Sequence, residues 1–463
     1  MGASATQRFF APLAYLPSGW ARDVAFTVDA RGFFDEVVAG GESSDALRLD
    51  GVVLPGMVNA HSHAFQRAMV GLSQIAGPAA DNFWSWRTLM YRLALRLSPA
   101  QIETIATWVY IEMLRGGYTQ VCEFHYLHND VDGRPYADRA EVSRAVVRAA
   151  QRVGIGLTLL PVLYMAGGFG GEPPRDEQRR FLSTPARLLD MVAGMRREHR
   201  ADPMLMFGLA PHSLRAVPPA ALHEAANGLH AIDSAAPIHI HIAEQMGEIE
   251  ACLGWSGQRP VQWLLEHAVV DSRWNLVHAT HMTADETQSV AAAGATVVLC
   301  PTTEADLGDG VFRYTEYAHA NGTYAIGTDS QVSRDWQSEL RMLEYSQRLL
   351  LRQRNVAAAP GRSTGATLFS AALAGGAAAS GLPLGRIATG ARADWVVVRA
   401  DKLAFAGRAP EYFLDSLIFD HHAPDFADIV IAGKSRRGAL EGDTYRAARN
   451  AFAQALRDLS ENT

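Results

Sequence analysis

Residues 52–63 read VVLPGMVNAHSH, a short apolar run that ends in polar and titratable residues. Helical patterns separate this run from most of the others like it, and buried strands that alternate with amphipathic helices indicate βα units in a parallel sheet. Eight such runs predict an α/β protein built on a closed (β/α)8 barrel, the TIM barrel. The seven further runs are TQVCEFHY (119–126), GLTLLPVLY (156–164), MLMFGLAPHS (204–213), PIHIHIAE (237–244), NLVHAT (275–280), TVVLCPTTE (296–304) and YAIGTDS (324–330).

Capping signals mark the helices between these runs. One predicted helix begins at Ser98, with Pro99 in its first turn and Gln101 at the third position, and ends at Gly116. Another spans 283–294, with threonine as its N-cap, glutamate at the third position and glycine at its end.

Both ends of the chain carry short alternating runs that are typical of β-strands. We expect residues 1–57 and 383–445 to pair into one small β-sandwich domain. The barrel is then expected to occupy residues 58–382, and residues 446–463 to contain a C-terminal helix on its outside.

Composition restricts the class of protein. A chain of 463 residues with 48% hydrophobic and 20% charged residues is typical of a globular protein. No apolar run approaches the ~20 residues of a membrane span, and the first residues lack the pattern of a secretory signal. A net charge of −7 without a basic stripe argues against a nucleic-acid partner. Three scattered cysteines predict a reducing, cytoplasmic setting.

Titratable residues stand at the ends of the predicted strands, where the active site of such a barrel gathers. His61 and His63 are two residues apart and therefore share one strand face. His241 ends the fifth run, His278 the sixth, and Asp329 the eighth. These side chains are nitrogen and oxygen ligands suited to Zn²⁺ or Fe²⁺.

Two further histidines receive other predictions. His239 lies earlier on the same strand as His241, so we expect it to support the site or to belong to the core. His281 falls beyond its strand and is predicted to lie in a loop. Trp84 and Trp86 are predicted to be packing residues.

This order of ligands resembles the amidohydrolase superfamily, in which HxH follows strand 1, histidines follow strands 5 and 6, and aspartate follows strand 8. Binuclear members bridge two metal ions with a carboxylated lysine from strand 4. This chain has no lysine before Lys402, so a lysine-bridged pair of metals is excluded. The resemblance instead implies the mononuclear, deaminase-like subtype, with the metal ligands His61, His63, His241 and Asp329.

The same resemblance implies a mechanism. One divalent ion, with Zn²⁺ preferred and Fe²⁺ as the alternative, lowers the pKa of its water so that hydroxide can attack a C=N carbon. Asp329 takes the proton of that water, and His278 orients the nucleophile. Glu244 protonates the imino nitrogen, so that ammonia leaves.

Within the superfamily, the chain more closely resembles the iminohydrolases that convert N-formimino-L-glutamate to N-formyl-L-glutamate and ammonia in histidine degradation. The resemblance implies a small substrate with carboxylates and a homodimer. HSHAFQR and HIHIAEQ are its more specific motifs. It is densest in the segments 53–69, 83–92, 123–130, 212–217, 239–245, 276–281, 303–310 (TEADLGDG) and 326–330.

That resemblance also implies a set of substrate-binding residues. Two of these residues are arginines, Arg87 and Arg215. The planar guanidinium of arginine binds a carboxylate through two hydrogen bonds, which suits a substrate with carboxylates. The competing interpretation is that both arginines are ordinary surface residues. The implied residues are Gln66, Arg87, Tyr126, His212 and Arg215.

Two alternatives stay open from the sequence. The same mechanism could act on another amidine, a guanidine or a heterocyclic amine, although paired arginines argue against a neutral ring. The chain could also be an inactive barrel used as a binding subunit, although such proteins usually lose metal ligands and none is missing here.

Overall fold

The structure, a computed structural model, describes residues 6–77, 81–399, 401, 405–420 and 425–460. Residues 1–5, 400, 402–404, 421–424 and 461–463, which belong to the predicted terminal units, lie outside the described residues. The described strands are β1 (Gln7–Leu16), β2 (Gly19–Val28), β3 (Phe34–Val38), β4 (Leu47–Arg48), β5 (Val52–Pro55), β6 (Met57–Ser62), β7 (Tyr118–His125), β8 (Gly156–Leu163), β9 (Leu205–Phe207), β10 (Ala210–Pro211), β11 (Ile238–Ile242), β12 (Trp274–His278), β13 (Thr296–Leu299), β14 (Thr323–Ile326), β15 (Trp395–Val398), β16 (Phe426–Ile431) and β17 (Lys434–Ser435). The described α-helices are α1 (Phe83–Ala94), α2 (Pro99–Arg115), α3 (Glu141–Val153), α4 (Pro185–Glu198), α5 (Pro219–Ile232), α6 (Met246–Ser256), α7 (Pro260–His267), α8 (Ala284–Ala293), α9 (Pro301–Leu307), α10 (Tyr314–His319), α11 (Trp336–Leu351), α12 (Thr364–Ser380), α13 (Phe413–Phe419), α14 (Arg437–Glu441) and α15 (Asp443–Ser460).

The central strands form two parallel sheets whose order follows the chain. One contains β6, β7, β8 and β10, with β9 also paired to β8, and the other contains β11, β12, β13 and β14. Isolated parallel bridges, Leu209 to Ile238 and Ser62 to Asp329, join the two sheets on both sides. All eight predicted runs contain a strand of this curled layer, and helices separate them, so the α/β class is confirmed. Parallel strands bring their carboxyl ends to one edge.

The predicted helix ends are confirmed. Ser98 caps α2 by accepting the backbone N–H of Gln101, whose side chain accepts the N–H of Ser98 in return. Thr283 and Glu286 form the same reciprocal cap at the start of α8. That helix ends at Gly294, whose φ of 73° is a conformation that favours glycine.

The two ends of the chain pair in one further sheet, with the order β17-β16-β15-β5-β1-β2-β3 and with β4 on β1. Antiparallel pairing of β5 with β15 joins the N-terminal strands to the C-terminal ones, as the sequence predicts. Its inner core contains Phe9, Phe26, Phe34 and Trp395. Alternate residues such as Val396 face the core of the parallel layer instead.

The C-terminal helix α15 packs on the outside of α2. The ring of Phe452 stacks on that of Trp108 with centroids 5.8 Å apart, and Tyr445 contacts the same tryptophan. Among the described residues, none of the helices combines the length and the apolar character that crossing a membrane requires.

Candidate active site

Two histidines at the end of β6 lie side by side in the interior of the parallel layer. His61 is on the strand and His63 follows it after Ser62. Because side chains alternate along a strand, both rings point the same way, and their Nε2 atoms are 3.2 Å apart. Both side chains are buried. The structure therefore contains the shared face that the HxH spacing predicts.

Strands from the far half of the chain bring two more donors to these histidines. His241 on β11 has its Nε2 3.1 Å from that of His61. Asp329, which follows β14, has its Oδ1 3.4 Å from Nε2 of His61 and 3.3 Å from Nε2 of His63. Its backbone N–H donates to the carbonyl of His61 at 3.0 Å. One ligand atom from each of the four residues lies within 4.8 Å of the others.

The spacing and orientation of these donors fit one divalent metal ion. Donor atoms about 2.0 Å from a tetrahedral ion lie about 3.3 Å from one another, close to the separations measured here. The Nδ1 of His63 donates to the carbonyl of Phe124 at 2.9 Å, and that of His241 to the carbonyl of His212 at 3.2 Å. Because Nδ1 carries the proton in both rings, each Nε2 keeps a lone pair for a metal.

Burial sets the protonation states that a metal requires. It lowers the pKa of His61 to about 3 and also lowers the pKa values of His63 and His241. Burial opposes ionisation of Asp329, but its hydrogen bond to His61 and the surrounding imidazoles hold the pKa of its carboxyl well below the usual range. Three neutral nitrogens and one charged oxygen can thus hold a divalent ion.

The chain adopts left-handed backbone conformations where it leaves these strands. The φ angles are 52° at Ala243, 67° at His278, 49° at Ala279 and 43° at Asp329. Such angles are uncommon for residues other than glycine, cost ~1–3 kcal/mol each, and are concentrated at functional sites. Two of the four side chains concerned, His278 and Asp329, line the cavity beside the metal-binding group.

Glu244 and His278 form an acid–base pair next to that group. The Nε2 of His278 lies 3.7 Å from Oε1 of Glu244 and 3.8 Å from Oδ2 of Asp329. Burial raises the pKa of Glu244 to about 7, so this carboxyl can carry a proton near neutral pH. Burial opposes a charge on His278, but Glu244, Glu304 and Asp329 together raise its pKa to about 10.

A cavity of about 570 Å³, part of it open to solvent, lies against the metal-binding group and the acid–base pair. Aromatic side chains such as Trp86 and Tyr164 form much of its wall. Inside it, the amide of Gln66 donates to the hydroxyl of Tyr126 at 3.0 Å. All the residues predicted to bind substrate line this cavity: Gln66, Arg87, Tyr126, His212 and Arg215.

The two arginines differ in their surroundings. The side chain of Arg215 is only 14% exposed, and its guanidinium makes one long ion pair, 4.0 Å from Oε2 of Glu248. That of Arg87 lies 4.4 Å over the ring of Trp84 and 5.5 Å from the ring of Tyr91. Burial, together with the charge of Arg215, lowers the pKa of Arg87. Both cations therefore share one cavity, where an anion can satisfy them.

Trp84 and Trp86, the two tryptophans predicted to be packing residues, lie beside or in the cavity that contains the two arginines. Trp84 packs against Arg87, and its ring is 5.9 Å from the guanidinium carbon of Arg215. Trp86, in contrast, lines the cavity itself.

Two buried carboxylates near the acid–base pair received no role from the sequence. Oε1 of Glu304 accepts hydrogen bonds from Nδ1 of His278 at 3.2 Å and from the backbone of Cys300 at 2.8 Å. Asp309 offers an oxygen within 4.8 Å of Glu244 and His278, and burial with the charge of Glu244 raises its pKa to about 9. Both residues belong to the motif TEADLGDG, which follows β13. This motif is one of the segments in which the resemblance to the family is densest, and that density is the sequence signal that could have found them.

His239 and His281, the two histidines that received other predictions, lie apart from the metal-binding group. His239 is buried, and its Nε2 donates to the carbonyl of Ala379 at 2.9 Å, as a core histidine does. His281 lies beyond β12, as predicted, and its Nε2 donates to the carbonyl of Asp309 at 2.7 Å.

Comparisons with known proteins agree with this architecture. The model of the amidohydrolase family matches residues 52–436. A formimidoylglutamate deiminase from Pseudomonas aeruginosa is 48% identical over 97% of this chain and 99% of its own. An 8-oxoguanine deaminase from the same organism is 29% identical, with 84% of each chain covered. The crystal structure of an amidohydrolase from Brucella melitensis superposes with a TM-score of 0.90, at 44% identity, over 98% of this chain and 99% of that one.

Proposed function

The chain belongs to the amidohydrolase family, and from this premise we propose that it hydrolyses N-formimino-L-glutamate to N-formyl-L-glutamate and ammonia. One observation carries the proposal: Arg87 and Arg215 line the same cavity as Glu244 and the metal-binding group. A substrate with two carboxylates and a C=N bond uses both features. The name of the relative that is 48% identical, formimidoylglutamate deiminase, supports the same substrate.

We infer that Zn²⁺ is the resident ion, held by His61, His63, His241 and Asp329, with Fe²⁺ as the alternative because it accepts the same donor types. When bound, such an ion lowers the pKa of a water molecule so that hydroxide is available near neutral pH. A second ion bridged by a carboxylated lysine has no residue to hold it, because the first lysine in the sequence is Lys402.

The side chains beside the ion divide the proton transfers between them. Asp329, the charged carboxylate, accepts the proton of the attacking water. His278 orients that water through its Nε2. Glu244 delivers one proton to the imino nitrogen as the new C–O bond forms, and it then takes the proton of the new hydroxyl as the C=O bond forms. The proton that Asp329 took from water goes to the same nitrogen as the C–N bond breaks, so that the nitrogen leaves with its electron pair as ammonia.

We assign substrate binding to the polar groups of the cavity wall. Each arginine can take one carboxylate through two parallel hydrogen bonds, and the two together match a dicarboxylate. Gln66, Tyr126 and His212 offer further donors and acceptors between the arginines and the metal-binding group. The aromatic walls limit the access of water, which strengthens these charged contacts.

A neutral heterocyclic amine is the alternative substrate class, because an 8-oxoguanine deaminase is among the relatives. Such rings are bound by stacking and by amide donors, whereas this cavity is lined by two arginines. An inactive barrel is disfavoured because the four metal-binding residues are all present and lie together.

The proposal is tested by ammonia release from the metal-loaded protein with N-formimino-L-glutamate, guanine and cytosine as substrates. We expect turnover of the first alone, with one N-formyl-L-glutamate formed for each ammonia. The control for contaminating deaminases is Glu244→Gln purified in parallel. No ammonia from N-formimino-L-glutamate, or faster release from either ring, overturns the proposal.

We also propose the finer architecture. The two bridges between the parallel sheets support a closed (β/α)8 barrel over residues 58–382. The terminal sheet supports a β-sandwich built from 1–57 and 383–445: β3 and β15 are four strands apart, about 19 Å in a flat sheet, yet the rings of Phe34 and Trp395 are 5.9 Å apart. The sheet must therefore fold over on itself. Residues 446–463 are the third proposed unit; the described C-terminal helix, α15, spans Asp443–Ser460 and so begins three residues before that boundary.

A cytoplasmic homodimer completes the proposal. The three cysteines are unpaired and buried, which suits a reducing setting. Light scattering tests the dimer directly, with twice the 50.2 kDa chain mass expected and the single chain mass as the contrary result.

A further inference from the structure

The motif TEADLGDG (303–310) has no part in the mechanism above, although it ends at the mouth of the parallel layer. Its residue Glu304 lies in the first turn of α9, directly after β13. The carboxylate is buried, with 8% of the side chain exposed. A buried carboxylate costs free energy unless it is hydrogen-bonded. The groups that donate hydrogen bonds to Glu304 therefore indicate its role.

The partners of Glu304 are the backbone N–H of Cys300, at 2.8 Å, and Nδ1 of His278, at 3.2 Å. The first contact is a local helix cap and fixes the carboxylate on the scaffold. The second crosses from β13 to the end of β12. A carboxylate can only accept, so Nδ1 of His278 is the donor and carries its proton.

These contacts fix the orientation of the imidazole of His278. With Nδ1 bonded to Glu304, only Nε2 of His278 is free to face Glu244 at 3.7 Å and Asp329 at 3.8 Å. The backbone of His278 is in the left-handed region, with φ of 67°, and such a conformation persists only where the surroundings hold it. A rotated ring would point the wrong nitrogen at the reacting atoms.

We propose that Glu304 is a positioning residue: its carboxylate holds Nδ1 of His278 so that Nε2 faces the reacting centre. The arrangement follows the general rule that a carboxylate behind an imidazole fixes its orientation. The inference rests on the proposed function for the role of His278, but not for the contact itself. The competing view is that Glu304 only caps α9 through Cys300.

The first test is a double-mutant cycle with Glu304→Gln and His278→Asn, measured as kcat and KM on the metal-loaded enzyme. The glutamine keeps the size of the side chain and one acceptor oxygen, but it loses the negative charge, so the charge-assisted hydrogen bond from Nδ1 of His278 is weakened more than the contact with the N–H of Cys300. We expect kcat to fall about 10- to 100-fold with KM little changed. In the His278→Asn background the same change is expected to cost almost nothing further, because Glu304 then has no ring to hold.

Glu316→Gln, in the neighbouring helix α10, is the matched control and is expected to leave kcat unchanged. If Glu304→Gln lowers only the melting temperature, or if its effect on kcat is undiminished in the His278→Asn background, Glu304 is a cap and the proposal is wrong. A wild-type enzyme inactive on N-formimino-L-glutamate is a different result, since it refutes the substrate and leaves the contact to be judged by the second test.

The second test needs no substrate and no folded Glu304 variant. Proton NMR of the wild-type protein with ¹⁵N-labelled histidine is expected to show, besides the Nδ1–H groups of His63 and His241, a further slowly exchanging Nδ1–H that is absent from His278→Asn. A spectrum in which His278 carries no protected proton on Nδ1 overturns the proposal.

Discussion

The guanidinium of Arg215 lies 4.0 Å from Oε2 of Glu248, too far for a hydrogen bond, and its buried Nε has no partner. A buried polar group without a partner carries a desolvation cost. In this cavity, a ligand carboxylate can supply the missing contact. The long ion pair with Glu248 therefore leaves the guanidinium of Arg215 with unused donors, as the proposed binding of a substrate carboxylate requires.

Arg215→Met tests this assignment through KM. A hydrogen-bonded charge contributes ~1.5–3 kcal/mol, so its loss is expected to raise KM about 10- to 100-fold. The contact exists in the bound substrate as well as in the transition state, and kcat therefore changes less. Arg200→Met, on the exposed surface, is the control. An unchanged KM removes Arg215 from the substrate site.

Glu244→Gln tests the proton donor. Glutamine is nearly isosteric but cannot deliver a proton to the imino nitrogen, and we expect kcat to fall by a factor of about 10²–10⁴. Metal content is expected to stay at the wild-type level, because Glu244 is not one of the four metal-binding residues. Glu250→Gln, exposed on α6 just after Glu244, is the control. A rate within a few-fold of wild type contradicts the assignment.

His241→Asn is expected to lose the metal, whereas His239→Asn is expected to keep it. The two histidines are on the same strand and both are buried, but only His241 has its Nε2 beside that of His61; His239 donates to the carbonyl of Ala379 instead. Elemental analysis of the purified variants measures the difference. Equal metal content in the two variants would mean that the four-residue group is not the binding site.

A pH prediction concerns folding rather than catalysis. Glu339 is fully buried against Thr302, and burial raises the pKa of its carboxyl to about 8 from an ordinary value near 4.5. Because the pKa is raised in the folded state, the neutral carboxyl stabilises the fold below pH 4.5, and that contribution is lost as the pH rises through 8.

The variant Glu339→Gln stays neutral at every pH. Its melting temperature is therefore expected to rise relative to that of the wild type between about pH 4.5 and pH 8, where the wild type loses this contribution. Glu224→Gln, on the surface of α5, is expected to follow the wild type throughout. A constant difference between Glu339→Gln and the wild type over this range would show that Glu339 is ionised in the folded protein.

Periodicity made much of the fold predictable. The two-residue repeat of a strand is enough to place His61 and His63 on one face, and the reciprocal cap of Ser98 and Gln101 is a local pattern that sequence alone contains. Parallel strands in chain order bring Asp329 to His61 only because the first and the last strand of the layer also meet, through the bridge of Ser62 and Asp329. These features depend on neighbours in the chain or on a repeating topology.

Contacts between side chains of different strands were not predictable in this way. Glu304 faces His278 because β13 follows β12 in the layer and α9 turns its first residues inward, and no periodicity encodes that geometry. Trp84 beneath Arg87 depends in the same way on where α1 lies over the cavity. The folding over of the terminal sheet likewise depends on contacts such as that of Phe34 with Trp395.

The most direct test of the account is anomalous scattering at the zinc edge from crystals of the metal-loaded protein with a bound substrate analogue. We predict one peak per chain, about 2.0–2.2 Å from Nε2 of His61, His63 and His241 and from the carboxylate of Asp329, with the imino carbon of the analogue beside it. A peak away from these four residues, or two adjacent peaks at this site, would contradict the account.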